Sequence, residues 1–444
     1  LSFSSDNGFD DGIEPNTTFI SAPPTFKVIY TDSDNDAPSY LNLVIDNTIY
    51  PLTKAIGEDG DYTNGELYSF STTTLTSGTH SYHFETSDSK LAIRLPETSE
   101  NQFEIKNDPV IIVPGIMGSW SVDGVWQLDP ILNTYDNLWE ALKSAGYQEN
   151  ETLFAFPYQW RSSNVYTAEL LKAKINSVKE ICNCDKVDLV AHSMGGLVAR
   201  QYIEGDDYNN DVDQLVFLAT PHKGATKAYL TWEGGDLGPT WPDKIRKRII
   251  MLEAYVSGYT DLFSYVRGLP LASIQELLPI YDYLRDKDTM QMRIYPYNYP
   301  TNVFLEFLNN VNQLSKLNKV KMFNILADAS PAVTINNIRV VNKNFIDGKW
   351  EHGYPEHYSL PLADHGLEYS VGDTTVPERS NKDFVDGEDI VIASNHDSIV
   401  TDAQKQVIKA LTGTEPDSEI KTNVFKKYLL VRIFSPADFV ITDP

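Results

Sequence analysis

Cysteine is almost absent. Cys182 and Cys184 are the only two in 444 residues, which excludes the disulfide framework that holds many small secreted domains together. Bridging cysteines one residue apart needs a tight, strained loop, so free thiols are expected, and the neighbouring residue types do not complete a four-ligand metal set. Basic residues are in deficit: 36 Lys and Arg stand against 62 Asp and Glu, a formal net charge of −26. Such acidity argues against holding nucleic acid or an anionic membrane by bulk electrostatics and suits a soluble extracellular protein or a salty environment. No run approaches the roughly 18 consecutive apolar residues of a membrane span. The chain begins at Leu1 with no visible signal peptide, and a secreted or cell-surface prokaryotic protein is the expectation.

What is present is a large apolar share, 41% of the residues, enough for an extensive core in a chain whose length suggests about three domains. The most informative stretch is Leu189-Val190-Ala191-His192-Ser193-Met194-Gly195-Gly196. A buried strand, Lys186 to Ala191, runs through it into apolar residues at helical spacing, Gly195 to Ile203. Small residues flank Ser193 because a serine held on a strained strand-to-helix turn leaves no room for bulk. Ser193 is the candidate nucleophile, although Ala191 replaces the first glycine of the usual GxSxG pattern.

A serine hydroxyl needs a base to take its proton and an acid to orient that base. In chains with this elbow the acid and then the base follow in sequence. Asp373, in Gly372-Asp373-Thr374-Thr375-Val376-Pro377, is the candidate acid, and His396, in a polar loop before a helix at Thr401 to Leu411, is the candidate base. His80 and His83 lie in a distant β-rich stretch. His192 should point away from the serine's exposed side, and His222, His352, His357 and His365 precede Asp373. Two backbone N–H groups should form an oxyanion hole: that of Met194, and that of Ile116 in the turn after the strand Val110 to Val113, where Gly115 and Gly118 permit close approach.

Four sections follow along the chain. Residues 1–22 are expected as a flexible arm. Residues 23–107 alternate in short β-type runs and suggest an immunoglobulin-like sandwich. From 108 to 414 strands alternate with helices, as a doubly wound, mostly parallel sheet requires. That alternation fails between about 226 and 319, an aromatic stretch with helical runs at Lys244 to Ala254 and Phe304 to Leu317. It is expected to form a cap whose Leu230, Trp232, Trp241, Leu262, Phe304 and Leu305 bury an acyl chain. Residues 415–444 read as a C-terminal β segment, with a strand at Tyr428 to Phe434. Asp32, Asp34 and Asp36 alternate as in calcium loops but lack the usual glycine and distal glutamate. They are a weak candidate for structural calcium, set against a solvated acidic turn; no other metal or cofactor is expected.

Taken together, the elbow, Ile111 to Ser119, Phe156-Pro157-Tyr158-Gln159-Trp160-Arg161, Ala219 to Gly224 and Gly372 to Pro377 resemble the lecithin:cholesterol acyltransferase-like family of α/β-hydrolases, in its bacterial or archaeal lipase branch. The family usually has aspartate at Gln159 and glycine at Thr374. The resemblance implies an esterase, lipase, phospholipase or acyltransferase with a lid over its site, acting on an acyl ester or lipid. A binding or adhesion protein with a silenced hydrolase domain is the alternative from another class; the intact serine, acid, base and glycine-rich turns speak against it.

Overall fold

The computed structural model describes residues 1–416 except 72–74, 130–132, 269–270, 343–346, 361–362 and 385–388. The expected strand Tyr428 to Phe434 lies outside the described residues.

Val110–Val113 is an unbroken run of β-branched residues, and all four are buried. A strand buried on both faces belongs inside a parallel sheet. It pairs in parallel with Leu153–Ala155 on one side and Val187–His192 on the other, and the order continues through Val212–Leu218, Lys321–Asp328 and Ile390–Ala393. Alternate residues face opposite layers. Ile111 and Val113 point into a core shared with the helices Asn164–Cys182 and Met194–Glu204, whereas Val110 and Ile112 point into one shared with Asp136–Ser144 and Gln404–Thr412. This two-sided winding, with a sharp strand-to-helix turn at its centre, is the α/β-hydrolase fold.

The helix Asn164–Cys182 starts on Ser163, whose hydroxyl accepts from the N–H of Val165, and stops where Asn183 turns left-handed at φ 53°. That turn brings the Cα atoms of Cys182 and Cys184 to 5.3 Å and joins their sulfurs in a disulfide. The expectation of free thiols is thereby corrected: a single left-handed residue supplies the tight loop that the spacing demands.

The cap also differs from its expected outline. Between the strands Val212–Leu218 and Lys321–Asp328 the described residues form six helices, Lys227–Gly234, Trp241–Val256, Leu262–Gly268, Ala272–Gln275, Val303–Leu308 and Val311–Leu317. The run Phe304 to Leu317 is therefore two helices rather than one, because Asn310 leaves helical geometry and caps the second through the N–H of Asn312. Beyond residue 319, Thr334–Val341 pairs with Leu284–Asp286, Tyr354–Pro355 and Leu367–Ser370 in a small separate sheet. The superstructure is thus drawn from two segments of chain.

At the N-terminus two sheets enclose a core that includes Phe26, Tyr82, Phe84 and Phe103. The stretch expected as a flexible arm is woven into them: Ser2–Phe3 and Ile13–Glu14 pair with Thr25–Tyr30, and Thr17–Phe19 runs parallel to Asn101–Lys106. Ile13 is fully buried, so apolar burial holds a segment whose Asp, Asn and Gly content reads as loop. Ser21 donates to the buried Asp108 at 2.6 Å, where the sandwich meets the α/β unit.

Candidate active site

The strand Val187–His192 is buried throughout, and the helix Met194–Glu204 follows after one residue. That residue is Ser193, at φ 53° and ψ −125°, a strained conformation that persists only where the surroundings impose it. They do. A Cβ at Gly195 would lie 2.4 Å from the Val113 carbonyl oxygen, one at Gly196 2.1 Å from Thr220 Oγ1, and one at Gly115 2.8 Å from Ser193 Cβ. Ala191, standing where the motif usually has glycine, is fully buried in the core.

The fold brings Ser193, His396 and Asp373 together although 203 and 23 residues separate the bonded pairs. Ser193 Oγ lies 2.8 Å from His396 Nε2, and His396 Nδ1 lies 2.6 Å from Asp373 Oδ2. The other carboxylate oxygen, Asp373 Oδ1, accepts from the N–H groups of Val376 at 2.6 Å and Thr375 at 2.9 Å. The His396 N–H donates to the Asp373 carbonyl at 2.7 Å. Burial by itself would lower the pKa of His396; the charge of Asp373 and the hydrogen bond to it outweigh burial and raise it above the ordinary value. Thr374 sits at φ 83°, in the left-handed region where glycine is the easier residue, and its N–H donates to Thr334 Oγ1 at 2.7 Å.

Gly115 to Gly118 form a turn closed by a 3.0 Å bond from the Gly118 N–H to the Gly115 carbonyl, with Met117 at φ 60°. The closing bond leaves the Ile116 N–H outside it. Met194 opens its helix, so its N–H has no acceptor within that helix. Ile116 and Ser193 both line a cavity of about 350 Å³.

The cap wall of this cavity is Ile249, Ile250, Leu262, Val266, Leu271 and Ile274. Of the cap residues expected to face an acyl group and described here, only Leu262 does so. Leu230, Phe304 and Leu305 are buried in the core shared with the sheet, and Trp232 lies beneath the Arg267 guanidinium at 4.4 Å. Two ion pairs also edge the cavity, Lys227 with Asp243 and Arg246 with Asp397. Arg246 belongs to a cap helix and Asp397 directly follows His396. Sequence reasoning had passed over both pairs, and the adjacency of Asp397 to the candidate base was the available signal. Trp160 lines the cavity too, whereas Gln159 accepts from Arg161.

His222 is fully buried between Phe384, stacked at 3.4 Å, and Phe217, and is not among the cavity's lining. His80 bonds Asp46, His83 bonds Glu100 and His352 bonds Glu233. The Asp32, Asp34 and Asp36 candidate does not converge as a metal site. Asp32 Oδ1 accepts from the N–H groups of Asp34 and Asp36, and Lys90 pairs with Asp36. The Asp32 carboxylate is thus engaged by its own turn, and the Lys90 ammonium neutralises Asp36 and repels a cation. Among the described residues no cluster of three or more His, Cys, Asp or Glu is placed to hold a metal, and no helix is long and apolar enough to cross a membrane.

The sequence model of the lecithin:cholesterol acyltransferase family matches residues 127–324, a span that contains the elbow. Over that span the chain is similar to the lecithin:cholesterol acyltransferase family. It is 26% identical over 174 residues to Phospholipase A(1) LCAT3 of Arabidopsis thaliana, covering 38% of this chain and 35% of the relative. It is 31% identical over 90 residues to Lecithin-cholesterol acyltransferase-like 4 of the same plant, covering 19% and 17%. The matched part of the chain therefore spans about a third or less of those relatives. Among solved structures, the mature lipase BlEst2 of Bacillus licheniformis is 16% identical over 68% of this chain and 91% of that one, at a TM-score of 0.37. Phospholipase PlaB of Legionella pneumophila is 14% identical over 49% and 38%, at 0.29.

Proposed function

We propose that the protein is a serine carboxylic-ester hydrolase, a lipase or esterase for medium- to long-chain acyl esters, secreted or displayed at the cell surface. The observation that carries this reading is the hydrogen-bonded line Asp373, His396, Ser193 ending at an apolar cavity. In the proposed reaction Ser193 Oγ attacks the ester carbonyl while its proton passes to His396 Nε2. The resulting oxyanion is held by the N–H groups of Ile116 and Met194, each donor of this kind being worth about 10²- to 10³-fold in turnover. The Ser193 oxygen to carbon bond persists as the alkoxy group leaves with the proton from His396. Water then adds by the same route, its proton going to His396, and the carboxylic acid is released as Ser193 regains its proton. Asp373 stays ionised throughout and orients the imidazole.

The branched residues of Trp241–Val256 and Leu262–Gly268 that line the cavity favour an acyl chain, each buried methylene contributing about 0.8 kcal/mol. A phospholipase reading of the same centre draws on the name of one relative, Phospholipase A(1), and on the charged pairs Lys227–Asp243 and Arg246–Asp397 at the cavity. Acyl transfer would follow if an alcohol took the place of water. The test is a series of p-nitrophenyl esters from acetyl to palmitoyl, followed by a triacylglycerol and a phosphatidylcholine. The expected result is a kcat/KM that rises with chain length to a maximum; a steep preference for the acetyl ester contradicts the lipase reading.

A further inference from the structure

Beside the triad lies a second buried chain of hydrogen bonds that the reaction steps do not use. The Gly115 N–H meets Tyr135 Oη at 2.9 Å, Tyr135 Oη lies 3.0 Å from His192 Nδ1, and His192 Nε2 lies 3.0 Å from the His396 carbonyl oxygen. The partners fix the direction of every proton. An amide N–H only donates, so Tyr135 accepts from Gly115 and gives its own proton to His192 Nδ1. A carbonyl only accepts, so His192 must carry its proton on Nε2. One neutral tautomer satisfies all three bonds.

We propose that Tyr135 and His192 are positioning residues, a rigid neutral strut that sets the distance between the oxyanion turn, the nucleophile elbow and the loop of the catalytic base. Each end sits one residue or less from a reacting group: Gly115 precedes Ile116, His192 precedes Ser193, and the last acceptor is the carbonyl of His396 itself. The surroundings keep the strut in place. Tyr135 and His192 are almost wholly buried, and a Cβ at Gly118 would lie 2.7 Å from Tyr135 Oη, so glycine there gives the phenol its room. The surroundings also keep it neutral. Burial first, and then the charge of the adjacent His396, push the pKa of His192 down to about 3 against the opposing hydrogen bond to the His396 backbone and the charge of Asp397. Burial likewise raises that of Tyr135, so the phenol remains a donor. A neutral neighbour matters because His396 becomes an imidazolium during turnover with its ring only 5.1 Å from that of His192.

This inference rests on the serine-hydrolase reading, and the test separates the two. Turnover of one p-nitrophenyl ester is compared for the unaltered chain, Tyr135→Phe and Ser193→Ala. The strut predicts that Tyr135→Phe lowers kcat by about 10- to 100-fold, the effect of a small misplacement of reacting groups, with KM within about twofold. An unchanged kcat, or a raised KM at constant kcat, overturns it. Full turnover in Ser193→Ala overturns the hydrolase reading itself and the strut's purpose with it. A measurement that needs no altered fold is ¹⁵N NMR of the unaltered protein, with the His192 signals assigned by their loss in His192→Gln. Nε2–H with a bare Nδ1 from about pH 5 to about pH 8 is expected, since the ordinary histidine value lies inside that window. The opposite tautomer, or a titration near the ordinary value, overturns the strut whatever the kinetics give.

Discussion

The N-terminal sandwich and the carboxyl end of the parallel sheet are both rich in carboxylates, and they use them differently. In the sandwich several aspartates close their own loops, Asp32 accepting from Asp34 and Asp36, Asp59 from Asp61, Asp61 from Thr63, and Asp88 from Lys90 and Leu91, while others, such as Asp46 with His80, tie neighbouring strands together. At the site, Asp373 reaches 23 residues to His396, His396 reaches 203 to Ser193, and His192 reaches 204 to the His396 carbonyl. Local acceptors stabilise turns in any fold, whereas acceptors that reach across the chain require one fold. At the site three such long contacts meet around one imidazole and its loop.

The largest effect expected from breaking this contrast is on the acid. Asp373→Asn leaves the carbonyl that accepts from Val376 and Thr375 but removes the charge that orients His396, so ester kcat should fall by about 10⁴-fold. The same exchange at Asp32 should leave kcat unchanged. Steady-state kinetics of the two variants checks both.

Next comes pH. Because the pKa of His396 is raised, kcat/KM should climb with pH through a midpoint above the ordinary histidine value of about 6.5. Stability should move with other histidines. The charged His396–Asp373 pair stabilises the fold below about 6.5, and that contribution is lost as pH rises through the raised pKa. His192 and His222 are buried neutral, with burial as the first cause of their lowered values. Between the ordinary value and their own, the unfolded chain binds protons that the native state does not, so each costs roughly 1.4 kcal/mol per pH unit as pH falls below about 6.5. Urea unfolding between about pH 6.5 and about pH 4.5 should therefore be steeper for the unaltered chain than for His222→Leu by roughly that amount.

A smaller effect tests whether the two regions are separable. A chain beginning at Asp108 keeps every group of the candidate centre and loses the bonds from Ser21 to Asp108. It should hydrolyse soluble short esters at an unchanged kcat, with a lower melting temperature because the bonds that Ser21 makes to Asp108 are lost. Loss of turnover would make the sandwich part of the catalytic unit. Smallest of all is the disulfide. Replacing Cys182 and Cys184 by serine opens a loop of only three residues, and should lower stability by about 1 to 2 kcal/mol without altering kcat.

The same contrast explains what the sequence made legible. Val110–Val113 announces a doubly buried strand, and the glycines around Ser193 announce a tight turn, because these constraints are written within a few residues. The candidate serine, acid and base could be nominated by their order along the chain, and the fold brings the three side chains together. The cap was harder: its small sheet forms between Leu284–Asp286 and strands 50 and more residues later, pairings that no local periodicity encodes. Which apolar residues face the cavity was misjudged for the same reason, since Phe304 and Ile250 read alike in sequence and differ only in what packs behind them. Tyr135 escaped notice because its value lies wholly in two partners, Gly115 and His192, that local pattern does not join to it.

The central claim is that Ser193 is the reacting group, and the most direct measurement is covalent labelling with an alkyl fluorophosphonate followed by peptide mass spectrometry. The account predicts a single modification on the peptide carrying Ser193, none in Ser193→Ala, and a labelling rate that falls as pH drops and His396 takes up its proton. A label on any other residue, or equal labelling of Ser193→Ala, would contradict it.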